Sequence, residues 1–293
     1  MRLGWFDTID PVPELVNPHA FVVIPSWLNA GESAVMALNA LEEFNHVKPL
    51  ASLVTPGEFF DFTRYRPITS MKEGIVKIAL PNAVIAYGKA QASDFIFMRL
   101  LEPHMRSEKY IESILELLKY FKVKRYCLMS SVYEMLPHTR PPLITGRASN
   151  QQLQKTIELA KVLPSQYEGP TSVLSLIEQE AEKLGIETLS LVVHIPEYFQ
   201  FSASHYGETR LLEVFKILYN IPVPQKDIEL ARQESDQMKK ASEAFLQAHP
   251  ELRQMLTQLE KNYDARVNSK EQTRLSPEVE EFLQNMSRRF EAS

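Results

Sequence analysis

Short, unbroken apolar runs alternate with stripes of helical period along most of this chain, and that alternation restricts its fold more than any other feature. Ala20-Phe21-Val22-Val23-Ile24, Asp94 through Leu101, Tyr126 through Ser130 and Thr188 through His194 each read as a buried strand. Between them, apolar residues recur at helical spacing: Val35, Leu38, Leu41 and Phe44; Tyr110, Ile114, Leu117 and Phe121; Leu153, Ile157 and Ala160; and Val173 through Leu184, stopped by Gly185. Repeated strand–helix alternation predicts an α/β fold with a largely parallel sheet. Weaker signals surround it. Leu50 to Val54 suggests one more short strand, and the runs on either side of Pro81-Asn82 suggest a hairpin or a broken strand. Residues 1–19, with three prolines, read as irregular.

A helix with Leu211, Val214, Phe215 and Leu218 ends near Pro222, and the composition then changes. From Asp227 onward there is no glycine and much Glu, Gln, Lys and Arg. Leu252, Met255, Leu256, Leu259 and Tyr263 make one helical stripe; Val279, Phe282, Leu283, Met286 and Phe290 make another. Pro250 and Pro277 suit first helical positions, and Ser276 suits an N-cap. We expect an α/β domain over residues 1–225 and a C-terminal helical region over 226–293.

Several classes of function are disfavoured at once. A net charge of −5 provides no basic surplus for binding nucleic acid through its phosphates. No apolar run reaches membrane-spanning length and the N-terminus lacks a signal-peptide core, so the expected address is the cytoplasm. One cysteine, Cys127, excludes an internal disulfide and a multi-cysteine zinc site; inside a core strand it reads as a small buried hydrophobe. Neither Gly-x-x-x-x-Gly-Lys nor Gly-x-Gly-x-x-Gly occurs. No metal site and no cofactor are expected.

The chemistry-bearing residues gather in two proline-stiffened stretches. Pro137-His138-Thr139-Arg140-Pro141-Pro142 follows a core strand, and Tyr167-Glu168-Gly169-Pro170-Thr171 leads into a helix. Ligands in open α/β sheets collect beyond the carboxyl ends of strands. Glu102, at the tip of another core strand, is placed either for chemistry or to cap a helix. Glu102, His138, Arg140 and Glu168 are therefore the catalytic candidates. Asn29, Gly31, Thr139, Arg140, Gly169 and Thr171 are the ligand-binding candidates. Asn29 and Gly31 lie in a strand-to-helix loop that could hold an anion or serve only as a connection. Asp61, among aromatics and beside Arg64 and Arg66, reads as an internal ion pair.

Several separated pieces resemble the proteasome assembly chaperone 2 family in its long bacterial form. They are Trp27 to Gly31, Phe59 to Phe62 with Arg66-Pro67, Glu102-Pro103, Pro137 to Pro141, Tyr167 to Thr171, Ile195 to Tyr198, and Leu259-Glu260 with Tyr263-Asp264. The chain departs from the pattern at Leu100-Leu101, where the family often has glycine, and at Glu197, where it often has histidine. The resemblance implies a three-layer α/β/α body with a mixed sheet, like nucleoside phosphorylases and related hydrolases, and it implies homo-oligomers. Eukaryotic and archaeal members are non-enzymatic chaperones for proteasome subunits, whereas bacterial members sometimes carry an ATP-grasp ligase label.

Three readings follow. In the first, the chain is an interaction or assembly protein, Arg140 pairs with Glu168 or Glu102, and His138 bonds a backbone carbonyl. In the second it is an enzyme (hydrolase, phosphorylase or ATP-grasp-like ligase): Arg140 holds an anion, Glu102 or Glu168 acts as acid or base, and His138 shuttles a proton. The third is a non-catalytic ligand binder in the same crevice.

Overall fold

The computed structural model describes residues 1–25, 28–90, 92–199, 203–248 and 252–268. The expected stripe from Val279 to Phe290, with Pro250, Ser276 and Pro277, lies outside the described residues. The strands are β1 (Arg2–Leu3), β2 (Phe6–Thr8), β3 (His19–Val23), β4 (Lys48–Leu53), β5 (Ile68–Lys72), β6 (Ile75–Ala79), β7 (Val84–Gly88), β8 (Phe95–Arg99), β9 (Arg125–Glu134), β10 (Leu143–Ala148), β11 (Leu163–Pro164) and β12 (Glu187–Pro196). The helices are α1 (Ser33–Phe44), α2 (Ser107–Tyr120), α3 (Gln151–Leu159), α4 (Val173–Lys183), α5 (His205–Tyr219), α6 (Gln225–Ala248) and α7 (Leu252–Asn268).

Ten strands form one sheet in the order β1-β2-β4-β7-β8-β3-β9-β12-β10-β11. Its centre, β8-β3-β9-β12, is parallel. Antiparallel strands extend both sides, through β7, β4, β2 and β1 on one and through β10 on the other. The sheet is mixed with a parallel heart, as the alternation of runs predicts.

The central strands are apolar on both faces because helices cover both. Ala20, Val22, Ile96, Met98, Tyr126 and Leu128 face Ile114, Leu117, Leu174 and Ile177 of α2 and α4. Their alternates Phe21, Val23, Phe95, Phe97, Cys127 and Met129 face Leu38, Leu41, Ile157, Leu211 and Phe215 of α1, α3 and α5. The period-two alternation of strand side chains thus builds two cores from one set of strands. On the second face, the Phe21 ring centroid lies 5.2 Å from Phe95, 5.1 Å from Phe215 and 5.3 Å from Tyr219. Each such pair adds about 0.5–1.5 kcal/mol beyond area burial.

Sequence reasoning errs at the sheet's margins. Residues 1–19 are not wholly irregular: β1 and β2 close the edge, with too few residues for any periodicity. Strand β10 had no signal of its own, since it begins directly after Pro141-Pro142. The hairpin is displaced by one strand: β6 pairs with β5, while β7 joins the main sheet. Glu73 and Gly74 at the hairpin's tip both have positive φ, 54° and 79°, as a tight two-residue turn demands.

The tail helices lie against the body. From α6, Ala231, Glu234, Met238 and Ser242 are buried; from α7, Leu259 and Tyr263. Leu259 and Tyr263 belong to the stripe expected from the sequence.

Candidate functional site

Strand β9 ends at Glu134, and Pro137–Pro142 turns the chain back into β10. Each polar side chain of that turn has a partner, most of them on the tail. Arg140 donates from Nε and Nη2 to the two carboxylate oxygens of Asp264, both at 2.8 Å. Its Nη1 lies 3.4 Å from Oε1 of Glu260, which also accepts from the Thr139 hydroxyl at 2.6 Å. Glu260 and Asp264 are four residues apart on α7 and therefore share a face. The planar guanidinium matches that pair of carboxylates in a way a lysine ammonium does not. The hydrogen bond from Arg140 holds the Asp264 carboxyl below the usual carboxylate range. The loop backbone is anchored too. Tyr263 donates its hydroxyl to the Pro141 carbonyl at 2.8 Å, and Tyr206 donates to the Arg140 carbonyl at 2.9 Å.

His138 is buried beneath this clasp. Its backbone N–H donates to the Tyr198 hydroxyl at 2.7 Å, and that hydroxyl lies 2.9 Å from Nδ1. Nε2 is 2.6 Å from Oγ of Ser242, whose own proton goes to the Lys239 carbonyl. The network closes for one tautomer: Nε2–H donates to Ser242, and Nδ1 accepts from Tyr198. Burial, with Lys239 nearby, pushes the imidazole pKa down against the pull of Glu260. His138 is thus a neutral hydrogen-bond hub between β9's exit, the segment after β12, and α6.

Glu134 makes a third tie. It accepts from Arg266 of α7 at 2.6 Å and lies 2.5 Å from Nδ1 of His194, whose Nε2 is 2.9 Å from the Thr145 hydroxyl. Burial would raise the Glu134 carboxyl, but the adjoining His194 ring and the Arg266 guanidinium outweigh it, and its pKa is held at about 2.

The loop of Asn29 and Gly31 joins the end of β9 and the start of α5. Gly31 has a φ of 54°, its N–H donates to the Tyr133 hydroxyl at 3.2 Å, and its carbonyl accepts from the Ser204 N–H at 2.7 Å. A Cβ there would meet Ser204 Cβ at 2.8 Å. Ser204 caps α5 and donates to Glu234 of α6 at 2.6 Å. The loop is spent on this packing, with Asn29 bridging to Ser131 and accepting from the Val35 N–H at 3.4 Å.

The second stretch forms a separate group of hydrogen bonds. Glu102 accepts from the Val173 N–H at 2.7 Å and so caps α4, satisfying a donor that a helix start leaves over. Its other oxygen, Oε2, is buried without a partner, and burial raises its pKa. Tyr167 donates to the Pro170 carbonyl at 2.8 Å and Thr171 to the Ser175 hydroxyl at 2.7 Å. Glu168 and Gly169 are exposed. Among the described residues no hydrogen bond or ion pair joins this group to His138 or Arg140. The expected pairing of Arg140 with Glu168 or Glu102 is replaced by Asp264 and Glu260. The expected backbone-carbonyl partner of His138 is replaced by Tyr198 and Ser242. Asp61 likewise forms no ion pair with Arg64 or Arg66; it accepts from the Thr63 N–H and hydroxyl at 2.8 and 2.7 Å. An open hollow of about 560 Å³ lies beside it, lined by Phe60, Arg64 and His104 among others.

Sequence reasoning missed Tyr198, Tyr206, Ser242, Glu260 and Asp264 as partners of the first stretch, and Arg266 as the partner of Glu134. Nor did it mark His205, Glu208 and Asp227, which the structure brings together as potential metal ligands. The available signal for the latter was a His-x-x-Glu spacing at the start of a helix.

No curated protein sequence matches the chain. Among solved structures it is similar to a PAC2 family protein from Streptomyces avermitilis, with 22% identity, a TM-score of 0.69, and 76% of this chain and 95% of that one covered. It is similar to a Mycobacterium tuberculosis proteasome-assembly chaperone homologue, with 19% identity, a TM-score of 0.68, and 75% and 94% covered. It is also similar to PbaB of Pyrococcus furiosus, an archaeal proteasome activator, with 16% identity, a TM-score of 0.60, and 81% and 98% covered. At these identities the likeness establishes the fold. The sequence profile of the PAC2 family matches residues 23–242, and the chain belongs to that family.

Proposed function

We propose that this chain is a non-enzymatic interaction protein of the assembly-chaperone type, acting in the cytoplasm as a homo-oligomer. The observation that carries this reading is the use of the Pro137–Pro142 side chains. His138, Thr139 and Arg140 hold α6 and α7 on the body. A guanidinium already chelated by Asp264 is not free to bind a phosphate or carboxylate, and a buried imidazole bonded at both nitrogens is not poised to move a proton. Residues 1–225 then serve as the α/β body and residues 226–293 as the helical region that it orients. Family membership, and the printed identities of similar structures as a proteasome-assembly chaperone homologue and a proteasome activator, support proteasome subunits as the partner class where the host has a proteasome. Among the described residues no helix is long and apolar enough to cross a membrane.

The test is to mix the purified chain with purified proteasome α and β subunits and follow assembly by native mass spectrometry. A complex of fixed stoichiometry supports the reading. Absence of any complex at tens of micromolar overturns it.

A second reading, a ligand-binding crevice near Glu102, is favoured by the buried, unpartnered Oε2 of that residue at the carboxyl end of β8. Glu168, Gly169 and Thr171 would form the rim from the start of α4. Incubation with a metabolite pool followed by native mass spectrometry tests it. A retained small molecule whose retention is lost in Glu102→Gln supports it, and a clean spectrum overturns it.

A further inference from the structure

We propose that His205, Glu208 and Asp227 bind a divalent transition-metal ion of the zinc or manganese class at the seam between α5 and α6. This site is separate from the clasp and from the proposed partner role.

The three side chains are brought together by local geometry. His205 and Glu208 are three residues apart in the first turn of α5, and so project from one face. Nδ1 of His205 is 2.7 Å from Oε2 of Glu208. The bend through Pro222 and Pro224 starts α6, whose first turn carries Asp227, with its N–H bonded to the Pro224 carbonyl. The Thr209 hydroxyl donates to the Asp227 carbonyl at 3.3 Å and ties the two helices at this point. One ligand atom from each of the three residues lies within 4.8 Å of the others. That spread suits a single ion with bonds of about 2.0–2.2 Å, given modest side-chain adjustment.

An independent observation concerns Glu208. Its side chain is only 5% exposed, yet among the described residues its carboxylate is bonded only by His205, inside the cluster, and by no lysine, arginine or backbone N–H. The groups facing it are Asp227 and Glu234, both acidic, besides His205. Glu234 is already committed, accepting from the Ser204 hydroxyl and from the Tyr206 N–H at 3.0 Å. Buried carboxylates are ordinarily matched by a cation or by several donors. Here a bound dication would supply the missing positive charge. One imidazole with two carboxylates favours zinc- or manganese-like ions over calcium and magnesium, which take oxygen ligands. His205 and Asp227 are only partly buried, which leaves room for water at the remaining positions. The ion would fasten the last helix of the body to the first helix of the tail.

The test uses tag-free full-length protein, treated with chelator and dialysed, then titrated with zinc chloride and separately with manganese chloride in a calorimeter. We expect one ion per chain for at least one metal, and a rise in melting temperature on saturation. Asp227→Asn keeps shape and removes one ligand charge, and it should weaken binding by roughly 100-fold or more. Glu208→Gln should do the same. If that buried variant fails to fold, the half-buried Asp227→Asn still decides the matter, with the spin-resonance spectrum of bound manganese as a second readout. Absence of stoichiometric binding by either metal, or undiminished binding in Asp227→Asn, overturns the proposal.

Discussion

Arg140 and Asp264 meet through two parallel N–H···O bonds, both 2.8 Å long, although 124 residues separate them in sequence. The contact joins a proline-stiffened turn of the body to the last described helix. Arg140→Lys keeps the charge but cannot reproduce the paired bonds. In this variant α7 should be cut by a protease several-fold faster than in the unaltered chain, with cleavage confined to the tail. The difference should shrink in high salt, because screening weakens the same contact in the parent protein. Limited proteolysis at two salt concentrations measures both effects.

Ser242→Ala removes the acceptor of the His138 Nε2 proton and leaves a buried donor unpaired. The expected cost is about 1–3 kcal/mol, read from denaturant unfolding. The pH dependence has a defined sign. Burial sets the folded pKa of His138 below its ordinary 6.5. Its contribution is therefore complete above 6.5 and lost as pH falls through the folded value. A chain with His138→Gln should lose that part of the slope below 6.5.

Glu134 gives a second, more acidic window. Its pKa is depressed from 4.5 to about 2 by His194 and Arg266, against burial. The stability it contributes is present above 4.5 and declines as pH falls towards 2, amounting to roughly 2 kcal/mol after allowance for solvent screening. Urea titrations at intervals between pH 6 and 2 should show that decline in the parent protein and a flatter profile in Glu134→Gln.

Gly31→Ala should destabilise the chain by about 1–3 kcal/mol. Its φ of 54° disfavours a Cβ, and the new atom would press on Ser204 at the α5 cap. Gly74→Ala, also at positive φ but with open space around it, should cost less. Comparing the two melting temperatures separates crowding from backbone preference.

Cys127 is fully buried, and burial pushes its thiol pKa well above the ordinary value. It should resist a thiol-specific reagent at neutral pH for as long as the chain is folded. One thiol per chain should react in denaturant. Rapid labelling without denaturant would contradict the placement of β9 in the core.

The heart of the fold was legible because it obeys local rules. Phe21 to Ile24, Phe95 to Met98 and Tyr126 to Met129 are unbroken apolar runs, and only strands covered on both faces have reason to be so. Gly185, just beyond the end of α4, marks that helix's stop in sequence terms, whereas its cap, Ser172, emerges only from the structure. The margins were not legible, since two- and three-residue strands such as β1 and β2 carry no period. The candidate site was read half-way. The residue types of Pro137–Pro142 announced an ordered turn, but their partners lie 60 to 124 residues downstream, where no spacing rule reaches. Glu102 could be named as a helix cap, yet nothing in the sequence said that the helix would be α4 rather than the one that follows it.

The distance along the chain between Arg140 and Asp264 also bears on biogenesis. Strands β3, β8, β9 and β12 are complete by Pro196, so a chain emerging from the ribosome can assemble its sheet before α7 has been translated. Until then the turn after β9 presents an uncommitted guanidinium and hydroxyl on an otherwise finished surface. Arrival of Glu260 and Asp264 withdraws them. Maturation of this protein thus has a natural late act, the shutting of a latch whose two halves are made at different times.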